Sequence, residues 1–144
     1  AWNRVLIYST DASYQQAFAQ YPKARLFESR DQTRDRLASV ALAHNCQPAP
    51  QMGSWVAFEY QRKVELVETF TLGEARSAVN AKLWTPQAID CFQSRGKVNI
   101  LTIGVNSEED YRAAACLNVD AVLVDSPRTM QGVKQRLEWP LRCD

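Results

Sequence analysis

The segment Val119–Pro127 reads VDAVLVDSP, an apolar run between two aspartates that ends at a proline. An apolar run bounded by turn-forming residues is typical of a strand that is buried on both faces. Ser126 and Pro127 then fit the N-cap and the first turn of a helix. Asp125 is therefore expected at the carboxyl end of a parallel strand, where α/β proteins place their working groups.

Similar units precede this segment along the chain. Strands are predicted at residues 4–9, 24–28, 55–60, 98–103 and 121–125, and helices at 14–21, 30–45, 86–95, 107–118 and 128–137. Alternation of strands and helices favours a mainly parallel sheet with right-handed crossovers. The predicted fold class is α/β, with alternating β/α units around a mainly parallel five-stranded sheet.

One segment departs from this alternation. In residues 61–84, Val64, Leu66 and Phe70 alternate with more polar neighbours, and Gly73 and Glu74 offer a turn. This pattern indicates an excursion that resembles a hairpin. We therefore expect residues 1–144 to form a single α/β domain with an irregular excursion at about 61–84.

Composition excludes several classes of partner. The chain has 17 basic and 16 acidic residues, and the resulting net charge of +1 gives no reason to expect nucleic-acid binding. No apolar run approaches the ~20 residues that a membrane-spanning helix needs. We expect no membrane span and a soluble chain, and the sequence does not choose between cytoplasm and periplasm.

Four cysteines are spread along the chain without a C-x-x-C pair. Zinc sites usually draw two ligands from one short turn, so a metal site built on these cysteines is not expected. Cys91 and Cys116 lie among apolar residues of predicted helices, where cysteine often serves as a small buried side chain. An even number of cysteines also permits disulfides, so the redox compartment stays open.

Spacing alone does not identify the sheet. The units repeat about every 29 residues, which suits a segment of a barrel averaging about 31 per unit and also an open sheet of flavodoxin type. A nucleotide site of the open type needs a glycine-rich first turn. The turn Ser9–Ser13 contains no glycine, which disfavours that alternative.

Short motifs at three strands resemble the closing strands of glycerophosphodiester phosphodiesterases. Val5–Asp11 is similar to a "visSfd" strand of that family, Ile103–Asn106 to its "WTVN" strand, and Val119–Pro127 to its final "GvDgiiTDyP" strand. Two positions depart from the pattern, because Ile103 stands where the family has tryptophan and Asn118 where it has glycine. The resemblance implies strands four to eight of a TIM-type (β/α)8 barrel, and so the C-terminal portion of the barrel domain.

The resemblance also implies what is missing from these residues. The family's His-Arg-Gly strand, Glu-x-Asp metal strand, second catalytic histidine and Glu-x-Lys strand have no counterpart, and His44 lies at a predicted helix end. In the complete family enzyme a divalent metal, Ca or Mg, takes part in cleaving a small-molecule phosphodiester to an alcohol and glycerol phosphate. We expect this chain alone to hold neither that metal nor a catalytic residue.

Four residues are candidates for substrate binding because each lies near, at or just beyond the carboxyl end of a predicted strand: Glu59, Asn106, Asp125 and Ser9. Each also has a structural alternative. Ser9 and Asp125 suit turns or caps, and Glu59 breaks an apolar run in a position that faces either a site or solvent. Phe70 and Trp84 could line a substrate lip, but structural packing is the favoured role of both.

A second hypothesis retains the predicted fold but assigns the chain no catalytic activity. A five-unit piece of a barrel leaves unpaired sheet edges and an open inner face, which favours pairing with another chain. The chain would then be a catalytically inactive interaction module. Its partner would be a second copy, forming a homo-oligomer, or the missing N-terminal barrel segment.

Overall fold

The computed structural model describes residues 2–143, which form parallel strands backed by helices and one long hairpin. The strands are β1 (Leu6–Ile7), β2 (Arg25–Leu26), β3 (Trp55–Glu59), β4 (Gln61–Phe70), β5 (Gly73–Lys82), β6 (Asn99–Ile103) and β7 (Ala121–Leu123). The helices are α1 (Ala12–Gln16), α2 (Arg30–Ala43), α3 (Pro86–Gln93), α4 (Glu108–Cys116) and α5 (Pro127–Arg136). Within the described residues, no helix has the length and hydropathy needed to cross a bilayer.

The parallel strands do not form the single five-stranded sheet expected from the sequence. They form a three-stranded sheet in the order β3-β6-β7 and a separate pair, β1-β2. A backbone hydrogen bond from Glu28 to the carbonyl of Trp55 (2.8 Å) joins the pair to the sheet. The pair extends over only two residues per strand because β1 lies at an edge, with no neighbour on its outer side among residues 2–143.

Helices cover one face of the three-stranded sheet and create the core. Val56, Phe58 and Ile100 point to that face and are buried against α2, α3 and α4. On the opposite face Leu123 is 53% exposed. The expectation that the last strand is buried on both faces is therefore wrong, because the described residues supply a helical layer on one side only.

Side-chain caps fix where three of the helices begin. Thr85, Ser107 and Ser126 each accept a hydrogen bond from the backbone N–H three residues later, at 3.2, 3.0 and 3.3 Å. Pro86 and Pro127 occupy the first turns of α3 and α5, where a missing N–H costs nothing. These local signals account for the agreement between the predicted and observed starts of these helices.

The excursion at 61–84 is a regular antiparallel hairpin. Gln61 lies opposite Lys82 at its base, and Phe70 lies opposite Gly73 at its tip. Gly73 has a φ of +148°, a value that glycine adopts without steric cost. Strands β4 and β5 pair only with each other, and a bond from Leu83 N to Tyr60 O (3.2 Å) closes the base.

Two disulfides connect the helical layer. Cys46, after α2, is bonded to Cys91 in α3, and Cys116, at the end of α4, is bonded to Cys143. Cys91 is buried as expected, but neither it nor Cys116 is a free apolar side chain. Both crosslinks join segments that are distant in sequence, with separations of 45 and 27 residues.

Candidate functional site

The four predicted site residues lie at or just beyond the carboxyl ends of β1, β3, β6 and β7. Glu59 is the last residue of β3, and Ser9, Asn106 and Asp125 follow their strands by two or three residues. Strands β3, β6 and β7 run parallel, so their carboxyl ends meet at one edge of the sheet. We define this edge as the carboxyl edge.

Asn106 and Asp125 bind each other. The amide nitrogen Nδ2 of Asn106 donates to Asp125 Oδ2 at 2.9 Å, and the backbone N–H of Asp125 donates to Asn106 Oδ1 at 2.8 Å. Both side chains remain exposed. The pair fastens the segments that follow β6 and β7 and leaves one carboxylate oxygen of Asp125 without a partner in these bonds.

Ser9 has a local role in the turn after β1. Its hydroxyl accepts a hydrogen bond from the backbone N–H of Asp11 at 3.1 Å. Asp11 in turn caps α1 by accepting from the N–H of Ser13 at 2.8 Å, and hydrogen bonds from Ser13 lower the pKa of the Asp11 carboxyl. Ser9 therefore has, in the structure, the turn role that the sequence allows as its alternative.

Glu59 lies in a more enclosed environment. Its Oε1 forms an ion pair with Arg30 Nη2 at 2.6 Å, and the two side chains are 32% and 15% exposed. Arg30 is the first residue of α2, which Ser29 caps, so the helix start brings the guanidinium to the carboxyl edge. The guanidinium carbon also lies 4.6 Å from the centre of the Phe58 ring, a cation–π contact that holds it in place.

Tyr8 completes a polar cluster with this ion pair. Burial raises the pKa of its phenol, the charge of Arg30 opposes that rise, and the charge of Glu59 adds to it. For Arg30, burial lowers the pKa, but the hydrogen bond and charge of Glu59 outweigh it and the net shift is upward. We call these three residues the Tyr8–Arg30–Glu59 cluster.

Two members of this cluster have a buried polar atom without a hydrogen-bond partner among residues 2–143, namely Arg30 Nε and Glu59 Oε2. The phenol oxygen of Tyr8 interacts with the Arg30 guanidinium, which leaves the phenol O–H free to donate. An unpaired buried polar group costs about 1–3 kcal/mol. The cluster therefore offers two donors and an acceptor to a further polar group. A hydroxyl, which both donates and accepts, matches this set better than a group that only accepts.

A second ion pair supports the first. Glu28, two residues after β2, pairs with Arg36 at 2.5 Å and accepts a hydrogen bond from the hydroxyl of Thr33 at 3.0 Å. Both charged side chains are nearly buried, at 12% and 11% exposure. Arg36 also donates to the carbonyl of Pro48 at 2.9 Å, so this pair has its hydrogen bonds and acts as a brace for α2.

The sequence interpretation missed Tyr8, Glu28 and Arg30. A signal existed for Glu28 and Arg30, because they flank Ser29, the cap of a helix that begins at the end of a predicted strand. The rule that selected Asn106 and Asp125, polar residues just beyond a strand, selects them as well.

The described residues do not form a metal site by themselves. Residues 2–143 contain no cluster of three or more His, Cys, Asp or Glu side chains placed to hold an ion. His44 is the C-cap of α2 with a φ of 49°. It lies at the opposite end of that helix from Arg30, about 20 Å away at 1.5 Å per residue.

Trp84 and Phe70, the two residues considered for a substrate lip, have different environments. Trp84 is a core residue, 2% exposed, and its indole N–H donates to the carbonyl of Phe58 at 3.2 Å. Phe70 lies at the tip of the hairpin and is 59% exposed. The expectation of packing is therefore right for Trp84 and wrong for Phe70.

Known proteins resemble this chain closely in sequence and structure. Over 131 residues it is 44% identical to the uncharacterized protein Rv2277c of Mycobacterium tuberculosis strain H37Rv and to the uncharacterized protein MT2337 of strain CDC 1551. The match covers 91% of this chain but only 44% and 43% of those proteins. No protein-family model matches the chain.

A solved structure agrees with these matches. The crystal structure of the glycerophosphoryl diester phosphodiesterase domain of Rv2277c superposes with a TM-score of 0.80 and 42% sequence identity. The superposition covers 92% of this chain and 49% of that one. The chain thus spans about half the length of the relatives and of the domain that it matches.

Proposed function

Because the chain resembles part of a glycerophosphodiester phosphodiesterase domain in both sequence and fold, we propose that it contributes substrate-binding residues to such a barrel. The complete barrel would hydrolyse glycerophosphodiesters to an alcohol and glycerol phosphate. In this proposal residues 1–144 correspond to its C-terminal portion, strands four to eight.

In the proposed reaction, the catalytic groups and the substrate-binding residues come from two different parts of the barrel. Water adds to phosphorus, the bond from phosphorus to the alcohol oxygen breaks, and that oxygen takes up a proton. Such chemistry needs an acid and a base, with a divalent metal to stabilise charge on the phosphoryl oxygens. We assign the metal, Ca or Mg, and the proton-transfer groups to the remainder of the barrel, since residues 2–143 hold no ligand cluster.

The observation that carries this proposal is the Tyr8–Arg30–Glu59 cluster at the carboxyl edge. Its free polar groups, a carboxylate oxygen with a guanidinium N–H and a phenol O–H, suit a hydroxyl of the glycerol moiety. Glu59 Oε2 would accept from that hydroxyl, while Arg30 and Tyr8 would donate to its oxygen. Asn106, Asp125 and Ser9 would line the same edge as polar neighbours of the substrate.

A complementation experiment tests this function. The chain would be combined with the remaining portion of the Rv2277c phosphodiesterase domain, and release of glycerol phosphate from a glycerophosphodiester would be measured with Ca²⁺ or Mg²⁺. We expect turnover only when both parts and the metal are present, and loss of turnover with EDTA. Robust turnover by the purified chain alone, or none by the combination, would contradict the proposal.

Variants assign the role of the cluster in that experiment. Glu59→Gln is expected to lower kcat/KM about 10- to 100-fold, since it removes a hydrogen bond from a charged acceptor in a largely enclosed site. Glu68→Gln, on the exposed hairpin, is the matched control and should leave kcat/KM unchanged. Equal effects of the two substitutions would remove Glu59 from the proposed site.

The alternative function, an inactive interaction module, is favoured by the open inner face of the sheet. Leu123 is 53% exposed there, and β1 and β7 have unpaired outer edges among the described residues. Such surfaces favour association with another chain. Sedimentation analysis over a range of concentrations separates the cases, because a monomer at every concentration would argue against self-association.

A further inference from the structure

The β4–β5 hairpin lacks the support of a third strand. Each of its strands has 10 residues, and among residues 2–143 the two strands pair only with each other. Nearly all of their residues are exposed. A two-stranded hairpin is marginally stable in water by itself, and sheets of three or more strands are more stable. A further strand at one of its two edges would therefore stabilise the hairpin.

Of these two edges, the edge of β5 is the less protected. Natural edge strands resist pairing with another chain by means of charges, prolines or bulges. β4 carries charges at Arg62, Lys63, Glu65 and Glu68. β5 contains no proline, its register with β4 continues without a bulge, and its residues 77–81 (SAVNA) are uncharged. The edge of β5 is thus better suited to accept a strand.

Alternate residues of β5 present their backbone groups to this free edge. The N–H of Leu83 donates to the carbonyl of Tyr60 at 3.2 Å, so odd-numbered residues of this arm direct their N–H and C=O groups toward β4. The even-numbered residues direct theirs away from β4: Glu74, Arg76, Ala78, Asn80 and Lys82. Unpaired backbone groups in such a row are a template for another strand.

The order of charges along the edge of β5 is complementary to itself. When two copies of β5 pair antiparallel about a twofold axis at Ala78, Glu74 of each copy lies opposite Lys82 of the other. Arg76 then lies opposite the uncharged Asn80, so like charges are not opposed. This register also aligns almost the whole length of the two strands, and it opposes residues whose backbone groups both point outward.

Other registers of the same pairing are less favourable. An axis at Val79 places Arg76 opposite Lys82, and an axis at Arg76 places that residue opposite its own copy. Like charges directly opposite each other destabilise an antiparallel pair. An axis at Ser77 opposes no charges of opposite sign. The sequence of β5 therefore favours the axis at Ala78.

The ion pairs within one chain leave these charges available. Lys82 lies 3.9 Å from Glu109, and Glu74 lies 3.4 Å from Arg76, and all four side chains are more than half exposed. Exposed ion pairs of this kind contribute little to stability. A second copy can therefore engage Glu74 and Lys82 without breaking a strong interaction.

We propose that two copies of this chain associate through β5, so that their hairpins form one four-stranded antiparallel sheet in the order β4-β5-β5-β4. The pairing adds about ten backbone hydrogen bonds between the copies. Two Glu74–Lys82 pairs fix its register. This interface is independent of the proposed hydrolysis and differs from the open face and the outer edges of the parallel strands.

Sedimentation equilibrium of the full chain over a wide range of concentrations tests the association. We expect a reversible dimer with twice the 16.3 kDa mass of one chain. In the dimer, hydrogen exchange at the amides of Arg76, Ala78 and Asn80 should slow. Exchange at Glu65, the β4 residue opposite Ala78, should not change. A monomer at every concentration, or protection at the β4 edge instead, would overturn the proposal.

A charge reversal and its compensation test the register. Lys82→Glu should weaken the dimer about 10-fold, because two attractive pairs become repulsive. Adding Glu74→Lys to this variant should restore the dimer, since each pair again joins opposite charges. Lys63→Glu makes the same reversal on β4 and should leave the affinity unchanged. Failure of the double variant to recover, or equal weakening by Lys63→Glu, would overturn the proposal.

Proline substitutions test which edge is used. Ala78→Pro removes an N–H at the centre of the interface and should weaken the dimer at least about 10-fold. Because that N–H points away from β4, the ladder of the hairpin itself is retained. Glu65→Pro makes the matching change on the β4 edge and should leave the dimer intact. A dimer that survives Ala78→Pro but is lost with Leu123→Gln would lie on the open face and reject this interface.

Discussion

Glu59 presents two unlike oxygens within one carboxylate. Oε1 is held by Arg30 at 2.6 Å, while Oε2 is buried without a partner among residues 2–143. A buried group in this condition is retained at a cost in stability. In the proposed function, a ligand that donates a hydrogen bond to Oε2 would remove that cost on binding.

The ion pair gives the first prediction on stability. Glu59→Gln leaves the Arg30 guanidinium without its counter-charge at 15% exposure. We expect the free energy of unfolding to fall by about 1–3 kcal/mol, as measured by urea denaturation. The control is Glu74→Gln, whose partner Arg76 is exposed and lies at 3.4 Å; a fall as large as that of Glu59→Gln would contradict the argument.

Tyr8 gives a prediction on pH dependence. Burial raises its pKa in the folded chain, so above pH ~10, the ordinary value for tyrosine, the unfolded chain loses this proton first. Folding stability therefore falls as pH rises from the unfolded pKa toward the folded one. Tyr8→Phe should make this decline in urea-melt midpoints smaller, and Tyr14→Phe, on an exposed side chain, should not.

At this scale the sequence predicted one member of the cluster and missed two. Glu59 was found because it interrupts an apolar strand near its end. Its association with Arg30 and Tyr8 depends on how β1, α2 and β3 pack together, and Arg30 is 29 residues from Glu59 along the chain. Residues that far apart in sequence leave no spacing pattern to detect.

Local chemistry made the boundaries of several elements predictable. Ser126 is a cap in the structure as predicted, and Ser107 caps α4 in the same way. Asn118 follows α4 with a φ of 56°, the left-handed conformation that often ends a helix. The length of β1 and β2 was not predictable. The length of a strand depends on which strands it pairs with, and the apolar pattern in residues 4–9 and 24–28 does not predict the pairing.

The disulfide between the end of α2 and α3 gives a prediction for these elements. It closes a span of 45 residues, and crosslinks of this kind stabilise by about 2–4 kcal/mol by restricting the unfolded chain. The double substitution Cys46→Ser and Cys91→Ser should lower the free energy of unfolding by that amount under oxidising conditions. Under reducing conditions the original chain also lacks this disulfide. The Cys46–Cys91 contribution to its free energy of unfolding should then disappear.

The second disulfide provides the comparison. Cys116 and Cys143 close a shorter span of 27 residues, so their joint replacement by serine should cost slightly less. Titration of free thiols in the unfolded, unreduced protein checks the premise. Four reactive thiols in material purified without reductant would contradict both crosslinks.

The whole molecule has one covered and one open face, and Leu123 tests the open face. Leu123→Gln should change the stability of the isolated chain by less than about 1 kcal/mol, because the side chain is already 53% exposed. The same substitution should reduce complementation with the rest of a barrel, since that face would then be buried. Calorimetric melting and the turnover assay measure the two effects.

A matched substitution on the covered face is expected to have a large effect on the stability of the isolated chain. Val56→Ala, at a fully buried position, should lower the stability of the isolated chain by about 1–3 kcal/mol. A large loss of stability for Leu123→Gln in the isolated chain would show that its open face is already occupied, for example by a second copy.

The α/β character was predictable at this scale, whereas a single five-stranded sheet was not observed. Alternating strands and helices require parallel pairing wherever the strands meet, and β3, β6 and β7 follow this rule. The sheet divides between β2 and β3, which a backbone bond from Glu28 to Trp55 connects. The apolar patterns of residues 24–28 and 55–60 do not predict that division.

Both disulfides lie among the helices and the segments that follow them. Neither lies on the uncovered side of the sheet. Additional strands could therefore dock along β1 or β7 without any sulfur–sulfur bond having to be broken and reformed. The two crosslinks would thus restrain the helical layer and leave the exposed face of the sheet free to contact the remaining strands that the proposed function requires.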